Sequence, residues 1–341
     1  MKVLVTGGAG FIGSAFVRRL AEQGEQVVVL DKLTYAGNPA NLEGVEHEFH
    51  RGDIADPEAV ARAAAGCEAI VNFAAETHVD RSILGPAEFI VTDVLGTQVL
   101  LDHARNHGIR HVQVSTDEVY GDIPLDAPGA TEESPLRPSS PYSASKITSE
   151  AFIYSYARCY GLKYLVFRFS NVYGRFDNDL WRMERVLPLF MHQLSRSEPI
   201  TIYGGDEKVL DFTFVDDCID GITRGVERLA AGSVENETVN LAYGQGNTLV
   251  RAAELIADQL EVTPRITKER SLVGEVTRYV AEITKARELL GWQPETPLDA
   301  GIPRAVDWFR EWRAAHPEED THIVSERQPG DIEHAFKPAP V

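Results

Sequence analysis

Two short stretches carry side chains whose types and spacing suit proton transfer. In Tyr142-Ser143-Ala144-Ser145-Lys146 a phenol and an ammonium lie four residues apart, and on a helix that spacing puts both on one face. An ammonium beside a phenol stabilises the phenolate, so the tyrosine can act as a base nearer neutral pH than its ordinary value allows. Upstream, Ser115-Thr116-Asp117-Glu118-Val119-Tyr120-Gly121 sets hydroxyls beside two adjacent carboxyls. Two adjacent carboxyls in different environments can separate into one acid and one base. Taken singly, the first stretch also describes a solvated helix face and the second an acidic loop. Their weight comes from shared placement.

A third stretch, Gly7-Gly8-Ala9-Gly10-Phe11-Ile12-Gly13, follows a β-branched run and opens a helical pattern. Glycines there let the backbone approach a pyrophosphate, while the helix N-terminus offers amides and the positive end of a dipole. Asp31 ends the second apolar run, 18 residues beyond Gly13. A carboxylate at that place accepts hydrogen bonds from an adenosine ribose and repels a 2′-phosphate, which points to NAD rather than NADP. Asp53, in Gly52-Asp53-Ile54, either reaches the adenine amino group or stabilises its own turn. A bound nicotinamide ring, being positive, would add to Lys146 in favouring the Tyr142 phenolate.

The elements that must position these groups follow from periodicity. Short β-branched runs at 2–6, 26–31, 47–50, 69–74, 110–115 and 163–169 alternate with helical patterns near 11–23, 57–65, 86–107 and 140–160. That alternation predicts an α/β protein of Rossmann type, a doubly wound parallel sheet covered on both faces. Gly24, Gly108 and Gly161 are helix stops, and Ser140-Pro141 is a cap and first-turn pair. Ser115 to Gly121 then falls at the carboxyl end of a strand, where ligands of open parallel sheets bind. Beyond residue 170 the rhythm loosens, with irregular stretches at 171–182 and 203–209 and helices near 215–230, 248–260 and 299–315. The expected division is a dinucleotide-binding domain over 1–170, rejoined by 209–245. A smaller α/β substrate-binding portion takes 171–208 and 246–315, and an extended tail runs over 316–341.

Composition narrows the function classes. The chain has 341 residues, 43% of them hydrophobic and 25% charged, and a net charge of −19. Wholesale disorder is excluded by that balance. Nucleic acid and anionic membrane are disfavoured as partners, because both demand a basic face. Cys67, Cys159 and Cys218 lie far apart, with neither a disulfide framework nor a zinc spacing, so no metal is expected. The N-terminal apolar run is too short for a signal peptide, and a reducing, cytoplasmic location is expected.

With these residues in view, the chain resembles the extended short-chain dehydrogenase/reductases, and most closely the branch of the dTDP-glucose 4,6-dehydratases. The matching segments are VTGGAGFIG (5–13), DKLTYAGN (31–38), FAAETHVDRSI (73–83), STDEVYG (115–121) and YSASK (142–146). The resemblance implies NAD held by Gly7, Gly10, Phe11, Ile12, Gly13, Asp31, Lys32, Asp53, Ile54, Ala74, Tyr142 and Lys146. It implies that Tyr142 takes the proton of the sugar 4-hydroxyl, that Lys146 tunes Tyr142 and holds the nicotinamide ribose, and that Thr116 bonds the 4-oxygen. Glu118 would then remove the C5 proton and Asp117 would protonate the departing 6-hydroxyl. Ser82, Thr116, Asn171 and Arg278 would contact a nucleotide-diphospho-sugar. Relatives on this scaffold commonly pair as homodimers through two helices, here 86–107 and 140–160, with Val91, Leu95, Phe152 and Tyr156 as seam residues.

Three departures stand against that pattern. Val172 replaces a second Asn, the 175–187 segment differs, and Leu210 stands where an Arg is expected to meet the diphosphate. Arg175, Arg182, Arg185 and Lys208 are the candidates to take its place. The alternatives on the same scaffold are a 4-epimerase and a UDP-glucuronate decarboxylase-type enzyme, which need Tyr142 and NAD but not Asp117. A non-catalytic NAD-binding sensor would have no use for a tuned phenol.

Overall fold

The computed structural model describes residues 1–177, 185–204, 208–270 and 276–315. In chain order the first part runs β1 (Lys2–Thr6), α1 (Phe11–Glu22), β2 (Gln26–Asp31), β3 (Glu48–Arg51), α2 (Pro57–Ala63), β4 (Ala69–Asn72), α3 (Val79–Leu84) and α4 (Pro86–Phe89). It continues through α5 (Thr97–His107), β5 (Arg110–Thr116), α6 (Pro141–Tyr160), β6 (Tyr164–Phe169), β7 (Asn171–Tyr173), α7 (Val186–Ser195), β8 (Ile200–Tyr203), β9 (Val209–Phe214) and α8 (Val215–Ala230). The remainder is β10 (Glu237–Leu241), β11 (Gly246–Thr248), α9 (Leu249–Leu260), β12 (Ile266–Glu269), β13 (Arg278–Tyr279), α10 (Thr284–Leu290) and α11 (Leu298–Ala315).

Among the described residues the main sheet has seven parallel strands in the order β10-β6-β5-β4-β1-β2-β3. Chain direction across the sheet reverses between β1 and β4, and the crevice at such a switch point is where ligands of these folds bind. Strand residues alternate between two cores, as the period of two requires. Val3 and Val5 pack with Phe16, Val17, Phe167 and Ile222 under α1 and α8. Leu4 and Ile70 face the other way, onto Val60, Leu100, Leu101 and Ile153 from α2, α5 and α6. Each large side chain sealed in this way contributes about 1.5–3 kcal/mol.

Helix α6 begins where Ser140 and Pro141 predict. The Ser140 and Ser143 side chains cap each other's backbone amides, and Gly161 closes the far end with a left-handed φ of 72°. A cap of this kind stabilises by about 1 kcal/mol. The single helix expected over 86–107 is instead three pieces, α4, a π-helical turn over Ile90–Gly96 and α5. The extra residue of a π turn is invisible to a search for one 3.6-residue period. It seats Gly96 against Ile54, where a Cβ would come within 2.6 Å of that side chain.

A smaller unit holds β7, β9, β11 and β13 in one sheet and β8 with β12 in another, covered by α7, α9 and α11 over a separate core. Segments expected to be irregular therefore contain β7, the last residue of β8 and the start of β9. Strand β9 pairs with β7, β11 and β13, so within 209–245 the return to the main sheet starts at α8 and ends in β10. Val91 and Leu95 are each 45% exposed and Phe152 37%. Tyr156 differs from the other three residues of the anticipated seam: it is buried in its own protomer, with its hydroxyl donating to Asp102 at 2.9 Å. The tail 316–341 and Arg182 lie outside the described residues. Among those residues no helix is long and apolar enough to cross a membrane, and no cluster of three His, Cys, Asp or Glu is arranged to hold a metal ion.

Candidate active site

A cavity of about 470 Å³ opens at the carboxyl ends of β1, β2, β4 and β5 and reaches to the smaller unit. Gly7, Gly10, Phe11, Ile12, Gly13, Asp31, Lys32, Asp53, Ile54 and Ala74 line one end of it. Gly7 adopts a left-handed φ of 67°, and a Cβ there would lie 2.6 Å from the Ala74 amide nitrogen. At Gly13 a Cβ would overlap the Gly7 carbonyl oxygen, so α1 can approach the turn only without a side chain. Helix α1 starts after Gly10 without any side-chain cap, which leaves its first amides pointing at the cavity for an anion to satisfy.

Asp31 is 8% exposed. Its oxygens accept from the Ala9 amide at 2.9 Å and the Leu33 amide at 2.8 Å. Burial raises its carboxyl above the usual range, and those two bonds oppose the rise. Asp53 stabilises its own turn through the Ala55 amide at 2.9 Å while meeting Lys32 Nζ at 2.6 Å, on the same wall. The glycine cradle, the uncapped helix and a carboxylate at the end of β2 together fit the dinucleotide NAD.

Thr116, Asp117, Glu118, Tyr142, Lys146 and Asn171 line the other end. The short helical turn Asp117–Tyr120 directly after β5 is capped by the Thr116 hydroxyl, which accepts from the Glu118 amide at 3.2 Å. Thr116 lies close enough to the Tyr142 phenol to favour its charged form, so the strand end and the helix face meet there. Lys146 Nζ stands 5.9 Å from the centre of the Tyr142 ring. Burial, then Glu118 and Asp93, push the Tyr142 phenol well above its ordinary value. Phenolate formation therefore depends on positive charge brought close to it.

The two acids differ in kind. Asp117 is 4% exposed, and its Oδ2 has no hydrogen-bond partner. Burial, Glu118 and Asp211 hold its carboxyl well above the carboxylate range, so it is suited to donate a proton. Glu118 is half-buried on the same wall. Asp211, fully buried behind them, accepts from the Tyr243 and Gly244 amides and is pushed by burial up to about 7.

Two residues assigned to substrate from the resemblance lie off the cavity wall. Ser82 is wholly buried, and its hydroxyl donates to the Val79 carbonyl within α3 at 2.6 Å. Arg278 spends its guanidinium on the Pro124 and Ala127 carbonyls, at 2.8 and 2.7 Å, where it pins that loop. Its neighbour Tyr279 lines the cavity instead, because successive strand side chains face opposite ways. Leu210 is on the wall together with Lys208 and Arg185. Arg185 stacks over Phe11 at 4.7 Å and bonds Asp177 Oδ1 at 2.8 Å and the Val172 carbonyl. Arg175 is engaged with Asp216 at 3.2 Å, off the wall.

Sequence reasoning gave no role to Glu76, Thr77 or His78, although they line the cavity immediately after β4. Their signal was the same strand-end rule that drew attention to Thr116. His78 holds a left-handed φ of 78°, uncommon for a residue with a side chain.

The fold and this site define a dinucleotide-dependent enzyme of the Rossmann class. Residues 3–242 match the NAD dependent epimerase/dehydratase family, and the chain belongs to that family. It is 38% identical over 328 residues to a dTDP-glucose 4,6-dehydratase of Streptomyces niveus, covering 92% of this chain and 94% of that protein. Among solved structures, the dTDP-glucose 4,6-dehydratase of Streptomyces venezuelae with NAD bound superposes with a TM-score of 0.85. It is 40% identical and spans 92% of this chain and 98% of its own. The UDP-glucose 4-epimerase of Thermotoga maritima, solved with UDP-glucose, superposes with a TM-score of 0.86 at 32% identity, spanning 92% and 99%. Backbone similarity thus does not separate the two chemistries, and the side chains at the cavity must.

Asp31 predicts cofactor choice. A 2′-phosphate would sit against a largely buried carboxylate, with a repulsion of at least roughly 1 kcal/mol. Titration of the apoprotein should find NAD bound at least about fivefold more tightly than NADP; equal affinities would remove Asp31 from the ribose.

Proposed function

We propose that this chain is an NAD-dependent dehydratase of nucleotide-diphospho-hexoses, with dTDP-glucose as substrate, yielding the 4-keto-6-deoxy sugar. The observation that carries the reading is the Asp117–Glu118 pair beside Thr116 and the phenol of Tyr142 on one cavity wall. A 4-epimerase or a UDP-glucuronate decarboxylase-type enzyme would use the same phenol and cofactor but has no step for a protonated Asp117. Identity of 36–40% with several dTDP-glucose 4,6-dehydratases supports the same choice.

In this reading the main sheet and its helices hold NAD, and the smaller unit with β7, β9 and α7 receives the nucleotide sugar. When bound there, NAD would supply a hydride acceptor for the sugar C4 and the hydride for C6. The Tyr142 phenolate, favoured by Lys146, removes the 4-hydroxyl proton, and Thr116 keeps the 4-oxygen in line with it. The resulting ketone acidifies the C5 proton, which Glu118 removes. Asp117, held protonated by burial and by Glu118, gives its proton to the departing 6-hydroxyl. Water leaves without a free hydroxide forming; as hydride is returned at C6 the proton held by Glu118 goes back to C5, and the proton taken up by Tyr142 is passed through solvent to restore Asp117. Asn171 contacts the sugar nucleotide, and neither nucleic acid nor membrane is a partner.

The reading extends to a cytoplasmic homodimer formed through the helical faces of 86–107 and α6. Ile90, Val91, Leu95, Phe152 and Tyr154 are exposed apolar side chains there. The deciding experiment is incubation with a panel of nucleotide-diphospho-hexoses, followed by mass spectrometry. Loss of one water from dTDP-glucose is expected, and a product of unchanged mass would favour the epimerase.

Leu210 gives a second test. A charge-assisted contact to a diphosphate contributes about 1.5–3 kcal/mol, so Leu210→Arg should lower the KM for dTDP-glucose about tenfold or more. An unchanged KM with efficient wild-type turnover would mean that another cation, with Lys208 and Arg185 on the wall, already does this work.

A further inference from the structure

Helix α1 meets the smaller unit through two arginine–aromatic stacks that run in opposite directions. From the smaller unit, Arg185 at the N-cap of α7 places its guanidinium carbon 4.7 Å from the centre of the Phe11 ring. From α1, Arg18 places its own 4.7 Å from the centre of the Phe176 ring, just beyond β7. Phe11 and Arg18 are about two helical turns apart in α1, so they share a face. Each unit thus lends the other one cation and one ring.

Both members of the outer stack are fixed from behind. Arg18 donates to the Asn41 carbonyl at 3.1 and 2.8 Å and to the Glu43 carbonyl at 3.0 Å. Asn41 in turn donates its side-chain amide to the Ala9 carbonyl at 3.1 Å, inside the glycine turn. Phe176 rests on Trp308 of α11, ring centroids 5.8 Å apart, and holds a left-handed φ of 67°. For a bulky residue that backbone is an outlier, and it persists only where the surroundings over-determine it. Asp177, the next residue, is 5% exposed on the cavity wall and accepts from Arg185 at 2.8 Å. Arg175 adds a looser cation 5.9 Å from the same ring while drawn to Asp216. Neither Arg18 nor Phe176 lines the cavity.

We propose that the two stacks form a clasp that seats the smaller unit on α1 and governs how slowly NAD leaves, with Arg18 and Phe176 as positioning residues for the wall made by Phe11, Asp177 and Arg185. Phe11 and Arg185 both line the cavity beside the glycine turn. A dinucleotide held at that turn leaves by parting α1 from the smaller unit, and both stacks break when it does. A cation over a ring face attracts more strongly the less water reaches it, so the clasp holds best while the units are closed. This rests on NAD lying at the glycine turn and stands whichever sugar chemistry follows.

The test is exchange of isotope-labelled NAD from the loaded protein into an excess of unlabelled NAD, with mass spectrometry of the retained cofactor, which reads release without turnover. Arg18→Gln and Phe176→Leu should each speed release about three- to tenfold, the range of one partly desolvated cation–π contact. The double variant should be no faster than the faster single, because both remove the same contact. Phe176→Tyr keeps a ring face under the guanidinium and should hold the wild-type rate. Wild-type release in both singles, or a double effect equal to the product of the two, would overturn the proposal. So would release from Phe176→Tyr as fast as from Phe176→Leu, since packing rather than the cation would then carry the contact. Should Phe176→Leu fail to fold, Arg18→Gln decides alone, and release from it at the wild-type rate overturns the clasp. Wild-type protein that binds no NAD would remove the premise and the proposal together, whereas a loaded protein that leaves every sugar nucleotide unchanged would refute the dehydratase reading and leave the clasp standing.

Discussion

Mixed with dTDP-glucose, a Glu118→Gln enzyme should build up the absorbance of reduced nicotinamide and release little dehydrated sugar. The amide keeps the shape and hydrogen-bonding reach of the carboxyl but cannot take the C5 proton. Loss of a general base slows its step by about 10²–10⁴-fold. Oxidation at C4 needs only Tyr142, Lys146 and Thr116, so it proceeds and the intermediate accumulates. Tyr142→Phe should give neither absorbance nor product, because the reaction then stops before C4 is oxidised. Asp117→Asn should resemble Glu118→Gln, since the same elimination lacks its acid. Water loss by Glu118→Gln at the wild-type rate would sink the dehydratase assignment and leave the fold and family untouched.

The largest effect on stability is expected behind the site. Arg168 of β6 and Glu150 of α6 form an ion pair at 2.6 Å, with side chains 6% and 9% exposed. Glu150 also accepts the Ser115 hydroxyl, and Arg168 donates to Tyr120, which in turn donates to Asn240 at 2.6 Å. These bonds lock β6, α6, β5, the Asp117–Tyr120 turn and β10 to one another, and α6, the end of β5 and that turn carry the candidate catalytic groups. Removing one partner strands a charge out of water, so Glu150→Ala should cost about 3–5 kcal/mol in urea unfolding. The double variant Glu150→Met with Arg168→Met should recover much of that loss, since no charge is then left buried. A single variant within about 0.5 kcal/mol of wild type would mean that water reaches Arg168.

What the sequence disclosed and what it hid divide along a physical line. The glycine turn, the Thr116–Glu118 run and the Tyr142–Lys146 pair are contiguous, and each sits at a strand end or helix start that periodicity alone locates. Residues that reach the cavity only through long-range packing gave no such signal. Asp211 is polar in a stretch that reads as a buried strand, and only the pairing of β9 with β7 carries it behind Asp117. Tyr279 and Arg278 are adjacent, and the resemblance pointed to the charged one. Register gives the cavity to the aromatic and the loop to the arginine. Ser82 shows the same limit: a hydroxyl in a matching segment turned into its own helix. The short strands β7 and β8 were missed because three or four residues are too few to establish a period.

The π turn at 90–96 has a bearing on how this chain tolerates insertion and deletion. Such a turn is an α-helix carrying one surplus residue, and each helical residue turns the chain by about 100°. The apolar stripe of α4 and that of α5 are therefore written in two different frames, each correct only because the surplus lies between them. Excising Thr92 would restore an unbroken α-helix and by local propensity should cost nothing. Because the surplus residue and the wide turn would go together, α5 would keep Leu100 and Leu101 on Ile70 and Val60, and the change would fall on the turn itself, where Asp93 meets Ser145. A one-residue deletion here is thus absorbed locally, whereas the same deletion within α5 would turn everything after it by about 100°.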